Sequence, residues 1–375
     1  MVLMARAKQM QKTDPTVIGL AGGEPDFATP DRISMAAIRS LSEGYTHYVV
    51  GPGLPELRAA IAKKLREENG LEYDENCILV TPGGKNAIYL AVQAILNEGD
   101  EVLVLDPAWV SYEPIVQAAG GVTVKVKLDY QQDYRITAEA LEAACTDKTR
   151  LLIINYPNNP TGRILHKDEA DILEAFMLRH PDVYMLSDEV YEKLVYDGAK
   201  SISMGSYPSI RDRVATMNGF SKSVAMTGWR MGYLAAPKAI FDAAYKLYQH
   251  SLSCMSGFLQ EGAVQAFRIP DEVEAMRQSY QRRRDAFAGR LNAIPGVHCQ
   301  MPEGAFYAWV SFDVDMTSDE MCDYILDHAK VVGVSGAAYG MTQGCFLRFS
   351  FASDDAALSA AADRIEAAMR AYQQR

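Results

Sequence analysis

Short apolar runs alternate with amphipathic stretches through the middle of this 375-residue chain, and that rhythm constrains the fold more than any other feature. Candidate strands run from Cys77 to Thr81, Glu101 to Leu105, Val122 to Leu128, Arg150 to Asn155, Val183 to Ser187, Val214 to Gly219 and Met231 to Ala235. Between several of them lie segments with helical spacing, such as Lys85 to Leu96 and Lys167 to Arg179. Strand, helix and strand in succession is the pattern of right-handed crossover units. The expected fold is therefore α/β: a large domain with a mainly parallel seven-stranded sheet flanked by helices. Ligands of such sheets collect at the carboxyl ends of the strands.

After about Pro270 the pattern changes. A long charged helix is expected from Val273 to Ala293, with Pro295-Gly296 as its stop, then extended stretches at His298 to Phe312 and Cys345 to Phe351, and a terminal helix from Asp354 to Tyr372. This reads as a smaller α+β domain. The expected division places residues 41–268 in the large cofactor-binding domain, and residues 1–40 with 269–375 in the small one. No low-complexity linker separates them, so a cleft between the two is expected.

Composition excludes several functions. No apolar run approaches the ~18 residues of a membrane span, and no signal-peptide pattern opens the chain, so a cytoplasmic protein without a membrane partner is expected. A net charge of -11 argues against nucleic acid as the main partner, because a phosphate backbone calls for a basic footprint. The one basic run, Arg282-Arg283-Arg284, reads as the solvated face of a helix. The six cysteines include no CxxC pair and the six histidines no HExxH cluster, so neither a metal site nor a disulfide framework is expected.

The stretch FSKSVAMTGWRMG places Lys222 between two serines after a candidate strand. A lysine there ordinarily belongs in water, yet its amine also condenses with an aldehyde. A pyridoxal phosphate site would need more. It requires backbone N–H donors and a cation for the phosphate, an aromatic ring to stack on, a carboxylate for the pyridine nitrogen, and a guanidinium for the substrate carboxylate. Thr81-Pro82-Gly83-Gly84-Lys85 lies between a strand and a helix, where it serves either as a plain connection or as a phosphate turn. Trp109 fits either a core position or a ring cover. Asn159, in NYPNNPTGR, and Asp188 with Tyr191, in LSDEVYEKL, follow strands; turn chemistry and solvated loops would place the same residues there.

Together these motifs resemble the class I/II aminotransferases, which are fold type I pyridoxal-phosphate-dependent enzymes. LAGGEPDF, NPTG, DEVY, SK…MTGWR and FLRFSFA occur in family order over nearly the whole chain. The resemblance implies that Lys222 binds the cofactor's aldehyde, Arg230 its phosphate and Asp188 its pyridine nitrogen. Asn159 and Tyr191 match the groups that bond the ring oxygen, and Trp109 the stacking aromatic. Gly83, Gly84 and Lys85 match the phosphate turn. Arg348 matches the clamp on the substrate carboxylate, with Gly23 offering a backbone donor. Tyr48 matches a tyrosine that reaches the phosphate of the neighbouring subunit, which implies a homodimer. Where some relatives carry a phosphate-binding serine three residues before the lysine, this chain has Gly219, leaving Ser221 as the candidate substitute.

The implied activity is ping-pong transfer of an amino group from an L-amino acid to a 2-oxo acid, with aspartate or an aromatic amino acid among the candidate donors. A carbon–sulfur β-lyase on the same scaffold is the alternative, and a non-catalytic cofactor-binding regulatory protein a further one. VAMTGWR after the lysine, rather than a TFNLAG-like sequence, favours transamination, and no basic helix-turn-helix segment accompanies it as an effector domain.

Overall fold

The computed structural model describes Met10 and residues 14–374; residues 1–9, 11–13 and 375, which the sequence reading assigns to the small domain, lie outside the described residues. The strands of the first part are β1 (Ile18–Gly19), β2 (Ile78–Thr81), β3 (Glu101–Asp106), β4 (Val122–Lys127), β5 (Thr149–Asn155), β6 (Tyr184–Asp188), β7 (Val214–Gly219) and β8 (Gly232–Ala235). Those of the second are β9 (Val297–Cys299), β10 (Tyr307–Phe312), β11 (Val331–Val332), β12 (Val334–Ser335) and β13 (Phe346–Ser350).

The central sheet has seven strands in the order β2-β8-β7-β6-β5-β3-β4. Only β8 runs against its neighbours, β2 and β7. The mainly parallel α/β sheet expected from the sequence is thus present, and its physical basis is visible in β5. Leu151 and Ile153 face one side while Leu152 and Ile154 face the other, and all four are buried because helices cover both faces. Helices Gly84–Ile95 and Lys238–Ser251 pack on the first face through Ile88, Phe241 and Tyr248. Helix Lys167–Arg179 packs on the other through Leu173, Phe176 and Met177. Each such side chain contributes about 1.5–3 kcal/mol on leaving water. The carboxyl ends of β2, β3, β5, β6 and β7 share one edge of the sheet, and the antiparallel β8 begins there, with Gly232 paired to both Thr81 and Gly219.

The second part is an antiparallel sheet, β12-β13-β10-β9, covered by helices Pro270–Asn292, Ser318–Ala329 and Asp355–Gln373 around a core that includes Phe287, Phe312, Ile325, Leu347, Phe349 and Ile365. Short β1 pairs with β11, which ties an N-terminal stretch to this part. Two expectations change here. The extended stretch His298 to Phe312 is interrupted by Pro302, whose missing N–H cannot continue a ladder, so β9 and β10 are separate strands. Nor is Arg282-Arg283-Arg284 a solvated face, because successive helical residues point about 100° apart. Arg282 is exposed, but Arg283 lies over the Phe27 ring at 5.2 Å and bonds Asp26 at 2.8 Å. Arg284 is only 3% exposed and is forked onto Asp197 at 2.6 and 2.9 Å. Among the described residues no helix is long and apolar enough to cross a membrane.

Candidate active site

A cavity of about 720 Å³ opens at the carboxyl edge of the central sheet, where it meets β10, β13 and the segment around Gly23. Lys222, Asp188, Tyr191, Asn159, Trp109, Gly84, Lys85, Ser221, Arg230, Gly23 and Arg348 all line it, although more than 300 positions separate Gly23 from Arg348.

Lys222 follows β7 by three residues, and its ammonium donates to the Gly23 carbonyl. Burial is the main cause that brings its pKa down to about 8; Arg348 and Arg230 push the same way, while Glu24 and Asp188 oppose them. Such an amine is largely unprotonated in mildly alkaline solution, unlike an ordinary lysine.

Asp188 ends β6 and is 4% exposed. Its Oδ2 accepts from the Tyr112 hydroxyl at 2.7 Å and its Oδ1 from the Val190 N–H at 3.3 Å. Burial raises its pKa to about 6 despite these bonds and the nearby Lys222. A cation brought against this carboxylate would restore its charge. The turn that carries it is braced from behind. Glu189, almost fully buried, accepts from the Ser187 and Ser203 hydroxyls, and Glu192 pairs with Lys64.

Arg348, on β13, is 5% exposed yet faces no carboxylate among the described residues. Its two terminal nitrogens donate to Asn159 Oδ1 at 2.8 Å and the Ala21 carbonyl at 2.9 Å, while Nε has no partner. A buried guanidinium bonded only to neutral oxygens is a costly arrangement unless an anion arrives. The guanidinium also lies over the Tyr307 ring, 4.2 Å from its centroid, and the Tyr307 hydroxyl is 2.7 Å from that of Tyr191.

A second basic corner lies across the cavity. Gly83 has φ +84°, and a side chain there would run into the Arg230 guanidinium, so glycine leaves the backbone bare beside a cation. The helix Gly84–Ile95 begins at this point with no side-chain cap, which leaves N–H groups aimed at the corner. Arg230 itself bonds only the Thr227 carbonyl among the described residues. The Lys85 ammonium sits 4.8 Å above the Trp109 ring, and its pKa is lowered by burial first and Arg230 second. At Gly219 an added Cβ would lie 3.0 Å from the Gly232 Cα and the Met231 carbonyl, so a serine there would press the start of β8 back by a few tenths of an ångström. Ser221 is buried on the cavity wall. Tyr48 does not line its own chain's cavity and is 90% exposed.

Comparison with known proteins turns this geometry into a family. The model of aminotransferase class I and II matches residues 15–365. The chain belongs to that family. An aspartate aminotransferase of Musicola paradisiaca is 38% identical over 99% of this chain and 93% of its own length. An aromatic-amino-acid aminotransferase of Thermococcus litoralis is 40% identical over 94% of this chain and 92% of its own length. The crystal structure of an aspartate aminotransferase from Rhizobium meliloti superposes with a TM-score of 0.93 at 38% identity, covering 98% of this chain and 95% of the other. This aminotransferase therefore has the fold type I architecture over its whole described length. Two of its site groups escape a reading of the sequence: Tyr112, which bonds Asp188 from outside the cavity lining, and Tyr307, which lines the cavity beside Tyr191. Tyr112 opens a helix three residues after Trp109, and the two rings meet edge to face at 5.3 Å, a loop contact that no helical spacing announces. Tyr307 is brought in from the second part of the chain, and nothing local to it points to the cavity.

Proposed function

We propose that the cavity holds pyridoxal 5'-phosphate and that Lys222 is the residue its aldehyde binds. The observation that carries this is the placement of a half-buried lysine between two unpaired arginines, with a buried carboxylate facing the same space. The donor set fits the group. The bare Gly83–Gly84 backbone, the uncapped helix start, Arg230 and Ser221 suit a phosphate; Trp109 suits the ring face and Asp188 the pyridine nitrogen. Once bound, the cofactor supplies an aldehyde that takes amines covalently and a ring that accepts the electrons left by a departing α-proton.

The chain's own residues do the rest. Arg348 fixes the substrate α-carboxylate with its planar fork, assisted by the backbone at Gly23. Asn159 and Tyr191 hold the ring oxygen. With the cofactor bound, Lys222 would be the group placed to take and return the substrate α-proton, since desolvation lowers its pKa to about 8. Asp188, ionised against a pyridinium, keeps that nitrogen protonated. With both substrates bound in turn at this one carboxylate clamp, the kinetics would be ping-pong.

For the donor, the reading is an acidic amino acid. Lys85 is a cation on the cavity wall with no carboxylate partner among the described residues, placed to meet a distal carboxylate. Val334, Ala338 and Tyr339, also on the wall, favour an aromatic donor as the second reading. With a panel of donors, Lys85→Met is expected to lower kcat/KM for L-aspartate by about 10- to 100-fold, a scale of 1.5–3 kcal/mol for a hydrogen bond to a charged group, and to leave L-phenylalanine little changed. An equal loss for both donors would remove Lys85 from the specificity account.

The functional unit in this reading is a cytoplasmic homodimer in which exposed Tyr48 reaches the partner's phosphate site. Residues 41–268 form the cofactor domain, and residues 1–40 with 269–375 the small one.

A further inference from the structure

We propose that Tyr307 is a positioning residue that carries the charge of Arg348 to the Tyr191 hydroxyl, holding that hydroxyl as a donor toward the ring oxygen of the cofactor; this rests on the reading of the site given above. Arg348 has two routes toward that oxygen. One is its 2.8 Å bond to the Asn159 side chain. The other is the stack on Tyr307, whose hydroxyl meets Tyr191 at 2.7 Å.

The direction of the second route follows from electrostatics. A guanidinium 4.2 Å from the ring centroid favours the phenolate character of Tyr307, making it the better acid of the pair. Tyr191 has no such cation on its ring at that distance: burial and Tyr307 hold its proton on, Arg348 opposes them from farther away, Asp188 adds to them, and the Lys222 ammonium stands 5.9 Å from the ring. Tyr307 therefore donates and Tyr191 accepts, which leaves the single proton of Tyr191 free to point into the cavity that both side chains line. When a substrate carboxylate neutralises Arg348, Tyr307 becomes a weaker donor and Tyr191 in turn a weaker one. Occupancy of the carboxylate site is thereby felt at the ring oxygen. Tyr339 also lies over Arg348, 5.2 Å from the guanidinium, but no bond joins it to Tyr191, so it cannot serve as this link.

The test is the pH titration of the visible absorption of the holoenzyme, read without turnover. Tyr307→Phe keeps the ring in the core and removes only the hydroxyl. It is expected to raise the apparent pKa of the visible band by about one unit, the scale of one hydrogen bond to a charged group. In a Tyr191→Phe background the same change is expected to add no further shift, because the route is broken downstream. An unmoved titration in Tyr307→Phe, or a full additional shift in the Tyr191→Phe background, would overturn the proposal. So would a Tyr339→Phe protein whose titration moves by about one unit, a control that does not depend on the Tyr307 variant folding. If added pyridoxal phosphate gave no visible band with the wild-type protein, the functional reading itself would fall, an outcome distinct from a band whose titration does not move.

Discussion

Lys222→Ala is expected to lower aminotransferase turnover by more than about 10⁴-fold, since one side chain supplies both the covalent anchor and the general base. The protein should remain folded, because among the described residues the Lys222 amine makes one hydrogen bond, to the Gly23 carbonyl, and burying an ammonium is itself unfavourable. Thermal unfolding checks that part. The same residue sets a pH dependence. With its pKa near 8, about half of Lys222 is free amine at pH 8, whereas an ordinary lysine near 10.4 would be roughly 0.4% amine. Association of the apoenzyme with pyridoxal phosphate should thus quicken as pH rises toward about 8 and level off above it. A rate that keeps climbing through pH 10 would mean that Lys222 titrates as an exposed lysine.

Arg348→Leu is expected to lower kcat/KM for every amino acid donor by about 10²–10³-fold, mainly through KM. A buried guanidinium with an unpartnered Nε and two neutral acceptors is held in readiness for an anion, so the carboxylate of the substrate loses most of its attraction when the fork is removed. Arg348→Lys should recover only part of the loss, because an ammonium restores the charge but not the planar pair of donors. The protein itself should tolerate Arg348→Leu well, as the substitution replaces an uncompensated buried charge with an apolar side chain. A leucine variant with unchanged KM would move the carboxylate site elsewhere in the cavity.

How much of this could be read from the chain divides along a physical line. Six strands of the central sheet are legible as short, largely buried apolar runs; the edge strand β4, VTVKVK, is mostly exposed or half-buried and is legible by its alternating β-branched residues instead. Lys222, Asp188, Asn159 and Trp109 are legible as candidates because each follows such a strand within a few residues. What the sequence hides is contact between distant parts. Tyr307 meets Tyr191 across 116 positions, Tyr112 meets Asp188 across 76, and the Arg230 guanidinium fills the space beside Gly83. Arg283 and Arg284 mislead for the same reason. Their charges look solvated until Asp26 and Asp197 are brought to them by the fold.

The most direct measurement is a single half-reaction. Holoenzyme mixed with excess L-aspartate, in the absence of any 2-oxo acid, should release one equivalent of oxaloacetate per active site, lose its visible band and stop. Adding a 2-oxo acid should then restore the band. Continued release of pyruvate and ammonia from a cysteine conjugate without an acceptor would contradict the account and make the protein a lyase.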